Sequence, residues 1–107
     1  MTLIIGPLFS GKHTFAEKLP GRHIAEVQDL AAESQPSEIP ALADDLAAQY
    51  DVILSTEVGA GIVPIEKAER EARENAGRLS CALADRADTV VRMCCGIPEV
   101  LKGTLTL

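Results

Sequence analysis

The apolar residues of this chain fall into short runs that are separated by stretches with helical spacing. Most of the runs are aliphatic or β-branched and are bounded by glycine or polar residues, which is typical of parallel strands buried on both faces. A less apolar run with Asp29 near its carboxyl end also predicts a strand, and Gly96 and Pro98 are expected to end the last one. The predicted strands are 3–5, 23–30, 52–54 and one that starts at 89–91.

Between these runs, apolar residues recur every three or four positions, which predicts helices. The predicted helices are 11–19, one that Ser37 caps and that reaches Tyr50, and one that runs from Pro64 to Leu83. The order β-α-β-α-β-α-β with a short tail predicts an α/β fold. We expect a three-layer sandwich around a small, mostly parallel sheet of about four or five strands.

Length and charge narrow the possible functions. A chain of 107 residues allows one domain, 1–107, and excludes a full-size nucleotide kinase with a lid. Ten Lys and Arg against 16 Asp and Glu give a net charge of −6, so we expect no binding to nucleic acid. No uncharged apolar run approaches the roughly 20 residues of a membrane span, and the first residues lack the basic start of a signal peptide. A cytoplasmic protein is therefore expected.

The three cysteines do not have the spacing of a zinc site. Cys81 is isolated, whereas Cys94 and Cys95 are adjacent. We expect plain buried thiols in a reducing compartment, with redox or metal chemistry as the alternative.

The segment with the clearest chemistry follows the first strand and precedes the first helix. It reads Gly6-Pro7-Leu8-Phe9-Ser10-Gly11-Lys12-His13-Thr14, and its two glycines and lysine have the spacing of a phosphate-binding loop. Glycines allow successive backbone N–H groups to turn inward around an anion, and Lys12 would reach the β- and γ-phosphates of a nucleotide. The alternative is a tight glycine turn without a ligand.

His13 stands where such loops carry Ser or Thr, whose hydroxyl binds Mg²⁺. Because Mg²⁺ prefers oxygen ligands, an imidazole is a poor substitute. Thr14 points about 100° further round the helix and does not automatically replace it. We therefore expect the loop to bind phosphate and to hold Mg²⁺ poorly.

A second glycine-containing loop, 55–64, leaves the carboxyl end of the strand 52–54, the edge where open α/β sheets bind ligands. Its sequence Thr56-Glu57-Val58-Gly59-Ala60-Gly61-Ile62-Val63-Pro64, with the later segments 76–78 and 96–98, resembles the bifunctional adenosylcobinamide kinase and adenosylcobinamide-phosphate guanylyltransferase family of cobalamin assembly. The resemblance covers roughly 1–20 and 50–103. It implies a RecA-like P-loop fold. It also implies an enzyme that phosphorylates cobinamide with ATP or GTP and then transfers GMP by way of a histidine.

The resemblance also assigns residues. It implies nucleotide binding by Gly6, Ser10, Gly11 and Lys12, and the adjoining His13 and Thr14 are candidates by their position in the same loop. It places Glu57, Gly59 and Gly61 in the loop beside that site, the candidate substrate loop, and Lys12 and Glu57 are our candidate catalytic residues. The segment 27–30 resembles a shortened form of the family's acidic strand, which makes Asp29 the candidate Mg²⁺ ligand.

The chain departs from the family in its middle. The family carries a long insert there, with a His-Arg-x-x-Arg stretch whose histidine accepts GMP, and Arg22-His23 does not match it. Ser80-Cys81 stands where the family favours Asn-Gln. Loss of guanylyl transfer is therefore expected.

Three functions remain open at the level of sequence. The first is a shortened cobinamide kinase, and the second is a non-catalytic nucleotide-binding or partner-subunit homologue. The third is a structural domain with an empty loop. Open sheet edges favour self-association, and by resemblance a trimer.

Overall fold

The computed structural model describes residues 1–57 and 66–105. In that part of the chain the strands are β1 Thr2–Gly6, β2 His23–Ile24, β3 Val52–Thr56, β4 Thr89–Cys94 and β5 Ile97–Lys102. The helices are α1 Lys12–Ala16, α2 Gln28–Ala32, α3 Ile39–Gln49 and α4 Lys67–Arg86, and a 3₁₀ turn, Pro36–Glu38, leads into α3.

The strands form one sheet in the order β2-β3-β1-β4-β5. β1 lies between β3 and β4 and is parallel to both, with Gly6 opposite Thr56 at the carboxyl end. β5 runs antiparallel to β4 because only a two-residue turn connects them, which is too short for a parallel crossover. The expected small, mostly parallel sheet is confirmed, with five strands.

Alternate residues of the central strands point to opposite faces and build two cores. On one face Leu3, Ile53 and Val90 pack with residues of α2, α3 and α4. On the other face Ile4, Leu54 and Val91 pack under Phe15 and Ala16 of α1. Helices therefore cover both faces of the sheet, and the expected three-layer α/β sandwich of the P-loop type is confirmed.

The predicted strand 23–30 is wrong beyond its first two residues. Glu26 has a φ of 57°, in the left-handed region, which ends the extended backbone. Val27 and Ala31, four residues apart and fully buried, then present one face of a short helix to the core. Asp29 therefore lies exposed in the first turn of α2 rather than at the end of a strand.

Other predicted boundaries also change. α1 ends at Ala16, because the N–H groups of Lys18 and Leu19 bond to carbonyls three residues back and tighten the chain. Ser37, the predicted cap of α3, lies within the 3₁₀ turn that precedes this helix, and Gln35 caps that turn. The start predicted for α4 at Pro64 lies outside the described residues.

The expected short tail is wrong, since Gly96 belongs to the turn of a hairpin and β5 follows it. Pro98 is tolerated because β5 is an edge strand.

The expectation of buried thiols is wrong as well, because Cys81, Cys94 and Cys95 are all exposed. Among the described helices, none has the length and apolar character needed to cross a membrane.

Candidate phosphate-binding site

The site is built at the carboxyl edge of β1, where Gly6 leads the chain out of the sheet. A Cβ on Gly6 would lie 2.7 Å from the carbonyl oxygen of Met93 and 2.8 Å from Ser10 Oγ, distances that real Cβ atoms do not adopt. Glycine is therefore required for the loop to turn against β4. The N–H of Glu57 donates to the Gly6 carbonyl at 2.9 Å and ties the end of β3 to the same point.

Backbone angles with positive φ curl the loop over this edge. Phe9 has φ 59° and Gly11 has φ 88°. Phe9 is fully exposed, whereas Ser10 is only 3% exposed and its carbonyl accepts the N–H of Gly96 at 2.9 Å. Within the described residues, Ser10 Oγ has no hydrogen-bond partner. The loop thus keeps a polar group buried and unsatisfied beside the hollow that it encloses, which is unusual in a folded protein.

Lys12 is buried within the same loop. Its side chain is 3% exposed, and Nζ donates to the carbonyl oxygen of Pro7 at 2.9 Å. An ammonium has three donors, and this contact uses one of them. A buried cation held inside a curved backbone is a suitable partner for a phosphate group, because the attraction acts away from bulk water.

Glu26 faces the loop from the end of β2. Together with residues from Leu8 to Thr14 it lines a hollow of about 340 Å³. Its carboxylate accepts hydrogen bonds from Gln28 Nε2 and from the Thr56 hydroxyl, the latter at 3.1 Å, and His13 Nε2 lies 3.6 Å away. The hydrogen bonds from Gln28 and Thr56, with the charge of Lys12, lower the pKa of Glu26 despite partial burial. Glu26 is therefore ionised at neutral pH.

Sequence reasoning named Glu57 as a catalytic residue and Asp29 as the metal ligand, and it missed Glu26. Asp29 lines a different space, an open cleft of about 500 Å³ between α2 and α4. Glu26 could have been predicted from its position directly after the apolar pair Ile24-Ala25, where β2 ends. The carboxyl ends of parallel strands meet at one edge of the sheet, so a polar residue there is a candidate for the site.

Glu57 shares that cleft with Asp29 and is engaged by an arginine. Arg92 Nε donates to Glu57 Oε1 at 3.0 Å, and its Nη2 lies 3.5 Å from Oε2. This bond and the charge of Glu57 raise the pKa of Arg92. The sequence-predicted loop residues are thus brought together around Lys12, while Glu57 and Asp29 face a neighbouring cleft. Gly59 and Gly61 lie outside the described residues.

The residues around the loop do not fit a Mg²⁺ site of the usual kind. The oxygen ligand that such loops supply after the lysine is replaced by His13, and its imidazole faces the carboxylate of Glu26, which lines the hollow. Both oxygens of that carboxylate already lie within 3.3 Å of the Thr56 hydroxyl. In the described ranges 1–57 and 66–105, no group of three His, Cys, Asp or Glu side chains is placed to hold a metal ion.

We expect the stability contribution of Glu26 to depend on pH. Its folded-state pKa is lowered, so the stabilisation is present above the unfolded pKa and is lost as the pH falls through the folded one. Urea unfolding of the wild type and Glu26→Gln should therefore differ most at neutral pH, and the difference should shrink as the pH falls below the unfolded-state pKa of a glutamate, about 4.3.

Thr56→Val provides the matched test of this network, because it removes a hydroxyl that donates to Glu26. At pH 7 the double variant should lose less stability than the sum of the two single variants, since both remove one interaction. Additive losses, or a difference independent of pH, would contradict the contact.

The fold and the loop together define an α/β protein of the P-loop type. The family model described as cobinamide kinase / cobinamide phosphate guanyltransferase matches residues 24–101, which is most of the 107-residue chain. The chain belongs to this family. No curated protein matches the chain in a sequence search. The matched segment starts after the phosphate loop, so the loop and the family match are two separate observations. Membership supports a nucleotide-binding role in cobalamin biosynthesis.

Proposed function

We propose that the protein binds ATP or GTP at the loop 6–14 and phosphorylates the alcohol arm of cobinamide or a related corrinoid. The observation that carries this proposal is the buried ammonium of Lys12 inside a loop at the carboxyl edge of the sheet. Family membership supports the choice of acceptor.

The loop has the groups that hold phosphates. Left-handed conformations at Phe9 and Gly11 make a concave run of backbone, the kind of nest in which N–H groups bind anions. The Ser10 hydroxyl supplies a further polar group that has no partner within the described chain. Lys12 neutralises charge on the phosphates, and its contact to Pro7 uses one of its three donors.

Two carboxylates stand near this edge and have different surroundings. Glu26 is ionised and lines the same hollow as Lys12, so we propose that it takes the proton of the acceptor hydroxyl. The hydroxyl oxygen then bonds to the γ-phosphorus, and the nucleoside diphosphate leaves with the bridging oxygen. Glu57 is held by Arg92, and we assign it a positioning role at the cleft beside the loop.

We propose that guanylyl transfer has been lost. His23, the histidine that follows Arg22, lies at the amino end of β2, whereas the loop lies at the carboxyl edge of the sheet. Its Nε2 is 2.8 Å from the carbonyl oxygen of Leu19. Incubation with α-labelled GTP should leave no GMP bound to the protein, and an acid-labile label on a histidine, the lability expected of a phosphorus–nitrogen bond, would overturn this part.

A non-catalytic nucleotide-binding protein is the second candidate, and the His13–Glu26 pair favours it. His13 stands where such loops carry the hydroxyl that binds the metal ion of phosphoryl transfer, and its Nε2 lies 3.6 Å from Glu26. Calorimetric titration of ATP and of GTP, with and without Mg²⁺, separates the candidates. Binding that needs no Mg²⁺, without transfer to cobinamide, supports the second one, and absence of binding to either nucleotide excludes both.

We predict that His13→Ser strengthens nucleotide binding in the presence of Mg²⁺, because it restores the hydroxyl that Mg²⁺ prefers. A gain of one ligand is expected to be worth roughly tenfold in Kd, or about 1.4 kcal/mol. His13→Ala is the matched control, since it removes the same imidazole without adding an oxygen. Equal affinities of the two variants in Mg²⁺ would contradict this account of His13.

We propose that the protein self-associates, and the structure limits how. One edge strand, β2, has only two residues. The other edge strand, β5, carries Pro98 and Lys102, and its pairing with β4 has a register shift between Val90 and Val91. Proline, lysine and irregular register oppose the addition of a further strand. An oligomer is therefore expected to form through exposed apolar side chains and not through strand addition. Light scattering coupled to size exclusion should show an oligomer, and a monomer at every concentration would contradict the proposal. Val100→Lys and Leu101→Lys, which charge exposed apolar side chains of β5, should weaken the oligomer more than substitutions in β2.

A further inference from the structure

Two cysteines lie side by side at the turn that joins β4 to β5. Cys94 ends β4 and pairs with Ile97, and the turn residues Cys95 and Gly96 have φ values of 52° and 76°. Positive φ at both central positions is the type I′ turn of tight hairpins. Both thiols are exposed, and their Sγ atoms are 4.0 Å apart. The pair is therefore accessible to reagents in solution.

The same turn supports the phosphate loop through backbone contacts. The N–H of Gly96 donates to the carbonyl oxygen of Ser10 at 2.9 Å. A Cβ on Gly11 would lie 3.1 Å from the Cα of Gly96, so the two backbones are nearly in contact. Because neither glycine carries a side chain, the turn and the loop contact each other through backbone atoms, and a change in the turn backbone is expected to alter this contact.

We infer that Cys94 and Cys95 form a redox-sensitive dithiol that closes to a vicinal disulfide and thereby weakens nucleotide binding at the loop. The second half of this inference rests on the proposed function. Closure must bring the sulfurs from 4.0 Å to about 2.05 Å. The peptide bond fixes adjacent Cα atoms about 3.8 Å apart, which is closer than in most disulfides. The two sulfurs can therefore meet only if the torsion angles of the turn change.

The turn can rearrange because its conformation is already unfavourable for a residue with a Cβ. Cys95 occupies the left-handed region, which costs energy for residues other than glycine, asparagine and aspartate. A strained and exposed disulfide is also easily reduced, which is the property of reversible rather than structural disulfides. The pair is therefore suited to cycle between two states.

Oxidation of the two thiols transfers two electrons to a low-molecular-weight disulfide such as glutathione disulfide. One cysteine thiolate attacks that disulfide, forms a mixed disulfide and releases one glutathione. The second cysteine thiolate then attacks the protein-bound sulfur, forms the Cys94–Cys95 bond and releases the second glutathione. The two thiol protons end on the two glutathiones. The hydrogen bond to Cys95 raises the pKa of Cys94 and Arg92 opposes this, so the exchange should be faster at alkaline pH.

The first test follows the chemistry by intact mass in a Cys81→Ser background, which removes the remaining cysteine on α4. Equilibration of the full chain with glutathione disulfide should remove two hydrogens and leave no adduct. Cys94→Ser and Cys95→Ser should each carry one glutathione instead. Two glutathiones on the protein that retains both cysteines, or disulfide-linked dimers, would overturn the dithiol.

The second test measures the coupling to the loop by two independent readouts. Amide hydrogen exchange at Gly96 and in the loop should be faster in the oxidised protein, and ATP affinity should fall about 2- to 10-fold, the worth of one hydrogen bond. Dithiothreitol should restore both. If the reduced protein binds no ATP, the proposed function fails and the exchange rates alone decide the coupling. A disulfide that changes neither readout would overturn it.

Discussion

Replacing Lys12 with methionine is expected to weaken ATP binding roughly 10- to 150-fold, the loss of 1.5–3 kcal/mol that follows removal of a charge-assisted hydrogen bond. Lys12 is the buried cation of the phosphate loop, and methionine keeps the length of its apolar stem. The folded state should lose little stability, because the cost of desolvating the charge disappears together with its hydrogen bond to Pro7 and its attraction to Glu26. Calorimetric titration with ATP measures the affinity, and thermal unfolding confirms that the variant folds.

Lys18→Met is the matched control, since Lys18 lies two residues beyond the end of α1 and is exposed. It removes the same charge near the site, but in water, where the interaction with a phosphate is screened. Its ATP affinity should stay within about twofold of the wild type. Similar losses in the two variants would show that the loop attracts nucleotides only through general charge, and an unchanged Lys12→Met would remove the loop from the proposed function.

The sequence was sufficient to predict those parts of the site that depend on local pattern. Leu3 to Ile5 read as a buried strand, and the glycines and lysine that follow it identify the loop; the structure places that loop at the carboxyl edge of β1. The spacing of residues in α4 was equally clear over many turns. Such signals are strong because one segment contains both the pattern and its cause.

The acidic residue that faces the loop could not be predicted in the same way. Glu26 takes a positive φ, which sequence patterns predict for glycine or asparagine and not for glutamate. Its conformation is supported by Gln28 and by Thr56, which is thirty residues away in the chain. Long-range hydrogen bonds of this kind leave no trace in hydrophobic periodicity, so 23–30 read as one strand.

β5 was missed for a different reason. The common signal for a type I′ hairpin is Asn-Gly or Asp-Gly, and here the turn is Cys95-Gly96. Pro98 also reads as the end of a strand, although an edge strand tolerates proline where no N–H is needed. The hairpin matters for the site, because its turn and the end of β4 form the surface on which the loop lies.

Replacing Gly6 with alanine is expected to lower the free energy of unfolding by about 1–3 kcal/mol, the usual cost of forcing a methyl group into a packed position. The new Cβ would lie 2.7 Å from the carbonyl oxygen of Met93, and that backbone atom belongs to the central sheet. The Ser10 hydroxyl, at 2.8 Å, can rotate away, but the carbonyl of a paired strand cannot. In a domain of this size the melting temperature should fall about 4–8 °C per kcal/mol.

Gly77→Ala distinguishes this clash from a general effect of alanine. Gly77 lies inside α4. Apart from its chain neighbours and the backbone of its own helix, no heavy atom of the described residues comes within 4 Å of a Cβ built there, so the substitution should stabilise the protein by about 0.5–1 kcal/mol through helix propensity. The two variants should therefore shift unfolding in opposite directions. ATP affinity should fall in Gly6→Ala alone, because only Gly6 connects β1 to the loop. If Gly6→Ala unfolds like the wild type, the loop does not lie against β4 as closely as the Gly6–Met93 distance requires, and the shape assigned to the phosphate hollow is wrong.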